Sequence, residues 1–384
     1  MIRGLMLLID RYLLRTFLWV WFICFCSLTG LYIVIDALTN LEEFLRIAER
    51  TQTNFVVVMS DFYLYRAISF FDRTSGILTL IAAMFTLAGL QRYNELTALL
   101  AAGTSKWRIV RPIVVAGACI ALLAALNREL IMPQQRAKLT RSPQELSANK
   151  AKDFQRREDT WSGISLHGRQ LALETQTIIE PNFKIPRYLP DQRSTWTAQT
   201  ANYEPASGDR PGGYRMSGMV TPKNVAEEPP LKLADGTIAI HTPQSVSWLV
   251  EDECFVVSEV NFELLVDQNG WRQYASTSEL IAALHKQGVG CGNDVRTSVH
   301  ARLLQPLLDV VLLLLGLPLV LRGLNRNLFI AVGQCVLVVV AFLLVSVTSQ
   351  YLGSSYLVAP VVAAWVPLLL FVPATVFNAE PLWE

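Results

Sequence analysis

The sequence predicts a mostly α-helical integral membrane protein with an inserted all-β domain. Three observations predict it. Charged residues make up 17% of the 384 residues against 52% hydrophobic, whereas soluble chains carry roughly 25% charged, and mean hydropathy is +0.34. Apolar runs near the roughly 20 residues that cross a bilayer crowd both ends of the chain. Between them, from Pro133 to Lys286, the composition is that of an ordinary soluble domain with short alternating stretches.

Six runs read as spans: Leu13–Leu38, Thr74–Leu90, Ile109–Ile131, Leu303–Leu321, Leu328–Val347 and Leu357–Phe377. The first is too long for a signal-peptide core and has no small-x-small cleavage site, so it is expected to stay as a membrane helix. The second is short and preceded by Asp72 and Arg73. Its neighbour Phe55–Phe71, interrupted by Asp61 and Arg66, reads as an interfacial or re-entrant helix leading into it.

Lys and Arg in the short flanks set the orientation. With the N-terminus inside, the inner flanks hold Arg3, Arg11, Arg15, Arg92, Lys106, Arg108, Arg111, Arg322 and Arg326, while the outer ones hold Arg46, Arg50, Arg66 and Arg73 beside acidic neighbours. Both termini are therefore expected to face the cytoplasm. The expected domains are residues 1–132 with spans one to three, 133–299 outside the cytoplasm, and 300–384 with spans four to six.

Within the insert, Gly163–Glu174, Ser194–Tyr203, Gly213–Val220, Thr237–His241 and Phe255–Leu265 read as strands between Pro, Gly, Asp and Asn punctuation, which suggests a sandwich or jelly roll. Ser276 followed by Glu279 is a capping box heading a short helix over Leu280–His285. Cys254 and Cys291 both fall in the insert, where a disulfide is compatible with the compartment but no distance is fixed by sequence.

The stretch 91–112, QRYNELTALLAAGTSKWRIVRP, is the most informative. It reads as a helix, a Gly break at Gly103, and a second helix capped by Thr104 or Ser105. Leu96, Leu99 and Leu100 form a stripe with Glu95 beside it. Two readings fit: an exposed helix that plugs into a nucleotide-binding partner, or a hairpin packed on its own bundle.

The run Arg92-Tyr-Asn-Glu-Leu-Thr-Ala-Leu-Leu-Ala-Ala-Gly-Thr-Ser105 resembles the cytoplasmic coupling segment of the lipopolysaccharide-transport permease family of LptF/LptG type. Asp10-Arg-Tyr-Leu-Leu-Arg15 is similar to that family's start. Ser278-Glu-Leu280, His300-Ala-Arg302 and Pro306 resemble its re-entry into span four, and Pro360 with Ala364-Trp-Val-Pro367 its last span. The resemblance implies a six-span permease with a periplasmic β-jelly roll, paired with a second permease of the family or with itself. It also implies a cytoplasmic ABC-type ATPase dimer, a periplasmic bridge protein, and lipopolysaccharide or a related glycolipid as cargo. Arg92, Glu95, Leu96, Leu99, Gly103, Ser105 and Arg108 become the expected ATPase-coupling residues. Two departures stand out. The family's usual prolines are missing from Ile68–Thr86, and Asp36, Glu42 and Glu43 stand where one of the two subunit types carries lysines.

No P-loop and no G-x-S-x-G elbow occurs, so energy must come from a partner and no catalytic residue is expected. The four histidines are far apart, and neither a metal nor a cofactor is expected. The near-neutral charge of +1 and the lack of a basic block give no support for nucleic acid. Charges near span ends are costly unless paired. Asp36 and Arg302 read either as interfacial anchors at the outer surface or as cavity-lining residues, and with Arg46 and Asp309 they are candidates for the lipid cavity that the resemblance implies. Asp309 lies two turns into span four and is expected to face the bundle interior, a water-filled cavity, or a base such as Arg302. A membrane-anchored scaffold or binding protein that does not transport is the alternative, as is a four-span exporter type.

Overall fold

A computed structural model of the chain describes residues 2–140, 152–154, 156–159, 161–172, 175–186, 195–207, 210–233, 236–266, 268–285, 293–321 and 328–379. It divides into a helical unit, Met1–Leu139 with Gly292–Glu384, and a second unit, Thr140–Cys291. Cys291, Arg322 and Arg326 lie outside the described residues.

The helical unit opens with α1 (Ile2–Thr39), α2 (Leu41–Thr51), α3 (Phe55–Arg92), α4 (Glu95–Ala101) and α5 (Lys106–Leu126). A π-helical turn follows at Asn127–Ile131, then α6 (Met132–Gln134) and α7 (Arg136–Thr140). One expectation is corrected here. Phe55–Phe71 is not a separate interfacial helix; it runs without a break into the second span as the 38-residue α3. No proline or glycine interrupts residues 55–75, and the charge that seemed to end the span, Asp72, is paired to Arg128 at 3.0 Å. A neutralised carboxylate need not sit at the surface. The Asn54 side chain starts α3 by accepting the Val56 N–H at 3.0 Å.

The second unit is one antiparallel sheet. Its strands are β1 (Lys152–Asp153), β2 (Arg157–Glu158), β3 (Ser165–Leu166), β4 (Gln170–Ala172), β5 (Thr177–Ile179), β6 (Asn182–Lys184), β7 (Thr195–Glu204), β8 (Gly213–Thr221), β9 (Leu231–Lys232), β10 (Ile238–His241) and β11 (Glu253–Val257). The order is β1-β4-β5-β7-β8-β11-β10-β9, with β6 also pairing β7 and leading on to β3 and β2. The long strands β7 and β8 form its centre and alternate buried with partly exposed residues over much of their length. Trp196, Phe183 and Tyr214 fill the core, and the Tyr214 hydroxyl donates to the Val260 carbonyl at 2.7 Å.

The strand expected over Phe255–Leu265 stops at Val257. Residues 262–266 form the helix α8 (Phe262–Val266), whose Phe262 and Leu265 enter the sheet core at i, i+3 spacing. Two further helices follow, α9 (Gln268–Tyr274) and α10 (Thr277–His285). The capping box forms as read: the Ser276 N–H donates to Glu279 Oε2 at 3.0 Å, and the Glu279 N–H to Ser276 Oγ at 3.1 Å. Cys254 is fully buried, with its Sγ 3.6 Å from Met219 Sδ.

The helical unit resumes with α11 (Asn293–Leu321), α12 (Leu328–Ser354) and α13 (Pro360–Asn378). Helix α11 is its hub and packs on α3, α5, α12 and α13. Leu312, Leu313 and Leu317 meet Leu80 and Leu87 of α3 and Ile109 and Ile113 of α5 in one core. Among the described residues, six helices are long and apolar enough to span a bilayer: Leu8–Thr39, Phe55–Arg92, Lys106–Gln134, Asn293–Leu321, Gly333–Ser354 and Pro360–Asn378. Their outer faces are themselves apolar. On α1, Leu18, Trp19, Ile23, Leu31 and Ile35 all point outward. A soluble protein does not leave such a continuous apolar surface to water; lipid covers it.

Candidate functional site

Helix α3 ends at Arg92 because Tyr93 and Asn94 leave helical geometry, Asn94 taking a left-handed φ of +57°. Seven residues later α4 is closed by the Gly103 N–H on the Leu100 carbonyl at 2.9 Å and the Thr104 N–H on the Leu99 carbonyl at 3.1 Å. Gly103 has φ +80°, a value that a side chain would strain, so the Gly break has the conformational role read from sequence. Ser105 is the extended residue that precedes α5 and accepts the Arg108 N–H through its carbonyl at 3.1 Å; its hydroxyl makes no cap.

The leucines of α4 do not face outward. Leu96 is wholly buried in the core of its own bundle, and Leu99 and Leu100 pack against that core. A helix of only seven residues has little stability of its own, and these leucines seat it. What α4 and its flanks leave exposed is Arg92, Tyr93, Asn94, Thr97, Ala98, Ala101, Ala102, Gly103 and Ser105. Tyr93, at 72% exposure the largest of these apolar surfaces, was not singled out by the sequence. The signal for it was present, since an aromatic residue beside Glu95 at a helix junction has no core-facing periodicity. Glu95 is half-buried, and its Oε2 accepts the Tyr12 hydroxyl of α1 at 3.0 Å. Arg108 is half-buried on the first turn of α5.

The four cavity candidates fall into separate neighbourhoods. Asp36 accepts the Tyr63 hydroxyl of α3 at 2.9 Å. Arg46 is exposed on α2 and sits 3.6 Å from Glu42. Arg302 is half-buried within the electrostatic reach of Arg128, Glu129 and Asp72. Asp309 is buried in the bundle and packs against the bare backbone of Gly76. Its hydrogen-bond partner is Gln305, one turn earlier, whose Nε2 donates at 2.9 Å; Arg302 does not fill that place.

Sequence reasoning missed a bidentate ion pair between two of the helical elements. Arg128 Nε donates to both carboxylate oxygens of Asp72 at 3.0 and 3.1 Å, across 56 residues of sequence. The adjacent Asn127 Nδ2 donates to the Ile68 carbonyl at 3.1 Å. The run Asn127-Arg128-Glu129 at the end of an apolar span was the available signal, because three polar residues at membrane depth require partners. Beyond the spans, Lys138 Nζ donates to the Tyr65 hydroxyl at 2.7 Å. That bond, with a smaller contribution from Asp61, holds its ammonium pKa above the ordinary lysine value.

Nothing in this arrangement supplies a nucleophile with its base. Its features are mechanical: a short helix held between two long ones, with a small-residue face turned outward. The model of the lipopolysaccharide export system permease family LptF/LptG matches residues 11–379. No curated protein matches the chain. With nearly the whole chain matched and six helices fit to cross a membrane, the protein belongs to the LptF/LptG family of lipopolysaccharide export permeases and is an integral membrane component of that transport.

Proposed function

We propose that the chain is the permease half of an ABC-type exporter in the bacterial inner membrane. In this reading it draws lipopolysaccharide from the membrane and hands it to a periplasmic bridge protein. A cytoplasmic ATPase dimer docks on the exposed side of α4, and a second permease of the family, or a second copy, completes the cavity. The Lys and Arg bias supports placing both termini and α4 in the cytoplasm and the sheet unit in the periplasm, where it acts as a jelly roll for the acyl chains. Withdrawing a lipid exposes apolar surface at about 0.8 kcal/mol per methylene, which demands an external energy source for a multi-chain lipid. Asp36, Arg46, Arg302 and Asp309 are the proposed cavity residues.

The observation that carries the reading is the division of labour on α4. Its leucines are spent on anchoring, so the outward face of Thr97, Ala98, Ala101 and Ala102, flanked by Tyr93 and Glu95, is left for a partner. Small residues allow close backbone approach by a partner surface. The test is affinity purification of the tagged full chain in mild detergent, with co-purifying proteins and lipid identified by mass spectrometry. An ATPase and an amphipathic glycolipid are expected. Glu95→Lys and Ala98→Trp should each cut ATPase recovery about tenfold, near 1.4 kcal/mol of affinity, while melting stays close to that of the parent. Full ATPase recovery with both variants would overturn the docking site.

A further inference from the structure

Helix α3 carries polar ties at residues 61, 65, 68 and 72, a spacing of three to four that lines them along one face. Each is met by α7 or the π-turn: α7 takes the two earlier positions and the π-turn the two later ones, as an antiparallel neighbour requires. Lys138 of α7 lies 3.6 Å from Asp61 Oδ1 and donates to Tyr65 at 2.7 Å. Asn127 donates to the Ile68 carbonyl at 3.1 Å. Arg128 takes both oxygens of Asp72. Farther along α3 the ties give way to close packing. Gly117 of α5 lies against Thr79 of α3 and Leu313 of α11, with no room for a side chain.

The π-turn at Asn127–Ile131 bears on this. Its wider winding brings two consecutive side chains, Asn127 and Arg128, onto the same partner helix, and such turns are common at functional positions. The ion pair is largely buried as well as bidentate, with the Arg128 and Asp72 side chains 13% and 10% exposed. Apolar contacts alone let helices slide; a buried two-pronged pair selects one register. At their opposite ends α3 and α5 are joined through α4, and the Gln91 amide of α3 donates to the Val320 carbonyl of α11 at 3.0 Å.

We propose that these ties clamp α3 to the end of α5, so that α3, α4 and α5 form a stiff hairpin closed at both ends, with Asp72 and Arg128 as its positioning residues. A hairpin open at one end would answer a push on α4 by splaying. Closed, it carries the displacement along its full length to the residues that follow the π-turn. The use of this lever in export rests on the proposed docking of an ATPase at α4; the clamp itself does not.

The test uses the full chain with its six cysteines replaced and spin labels placed at Leu64 and Leu130, which are exposed at 62% and 59%. A narrow inter-label distance is expected for the parent and for the charge swap Asp72→Arg with Arg128→Asp. The apolar pair Asp72→Leu with Arg128→Leu leaves no lone charge, so it should melt like the parent yet give a broadened or shifted distance. Should that pair fail to fold, Asp72→Asn is read in its place, with the same broadening expected. A distance as narrow as the parent's in the variant that is read overturns the clamp. In the reconstituted complex, ATP-driven lipid release should fall about tenfold in the apolar pair with ATPase recovery unchanged. If no ATPase binds the parent, the export reading fails while the label distances still judge the clamp.

Discussion

Two arginines, one in each unit, make the same chemical contact in different surroundings. Arg215 of β8 spreads its guanidinium over two carboxylates, Glu204 at 2.7 Å and Glu253 at 3.2 Å, and lies over the Trp248 ring at 5.3 Å. The bond to Glu204, with Glu253 adding, raises its pKa above the ordinary arginine value. Its side chain is 21% exposed and Glu204 is 37% exposed, so water still reaches the cluster. Arg128 has Asp72 as its bidentate partner, both nearly dry, in a bundle whose outer surface is apolar. The two sites differ less in bond length than in what remains after one partner is lost. In the sheet unit water can replace it. Among the helices the pair is less open to water, and the stake rises accordingly.

Four variants test that ordering. Arg128→Ala leaves a bare carboxylate among helices and should destabilise the helical unit by about 3–5 kcal/mol, read as a lowered melting temperature in detergent. Replacing both partners with leucine should return most of that loss. Arg215→Ala should cost about 1–3 kcal/mol, because Glu204 and Glu253 are left facing each other with partial hydration. An equal or larger effect at Arg215 than at Arg128 would break the comparison. Arg46→Ala is the lower limit. Its ion pair with Glu42 is 67% and 82% exposed, so the change should stay within about 0.5 kcal/mol, and a larger shift would point to a role for Arg46 beyond its helix.

Much of the fold was legible because its signals are local. A long apolar run must be a helix if it lies in lipid, since only a helix satisfies its own backbone there. The alternation in β7 and β8, the Ser276–Glu279 cap and the left-handed Gly103 are likewise settled within a few residues of sequence. Strands β1, β2, β5, β6 and β9 were not legible. At two or three residues each they are too short to show a period and exist through pairing to neighbours. The end of β11 was misread because Phe262 and Leu265 are apolar, and apolar content alone does not separate strand from helix in so short a run.

The sequence by itself determined the long apolar helices, the strand-forming stretch between the third and fourth of them, and the helix–Gly–helix segment between the second and third. Which side of that segment is left exposed was decided only in three dimensions. Leu96, Leu99 and Leu100 are equally apolar whether they dock outward or inward, and in the folded chain they pack inward against the bundle core. The same holds for Asp72 and Arg128. As an isolated letter Asp72 looked like the edge of a span and Arg128 lay unremarked inside one, but brought together they cancel, and a charge that is cancelled can lie where a lone one cannot.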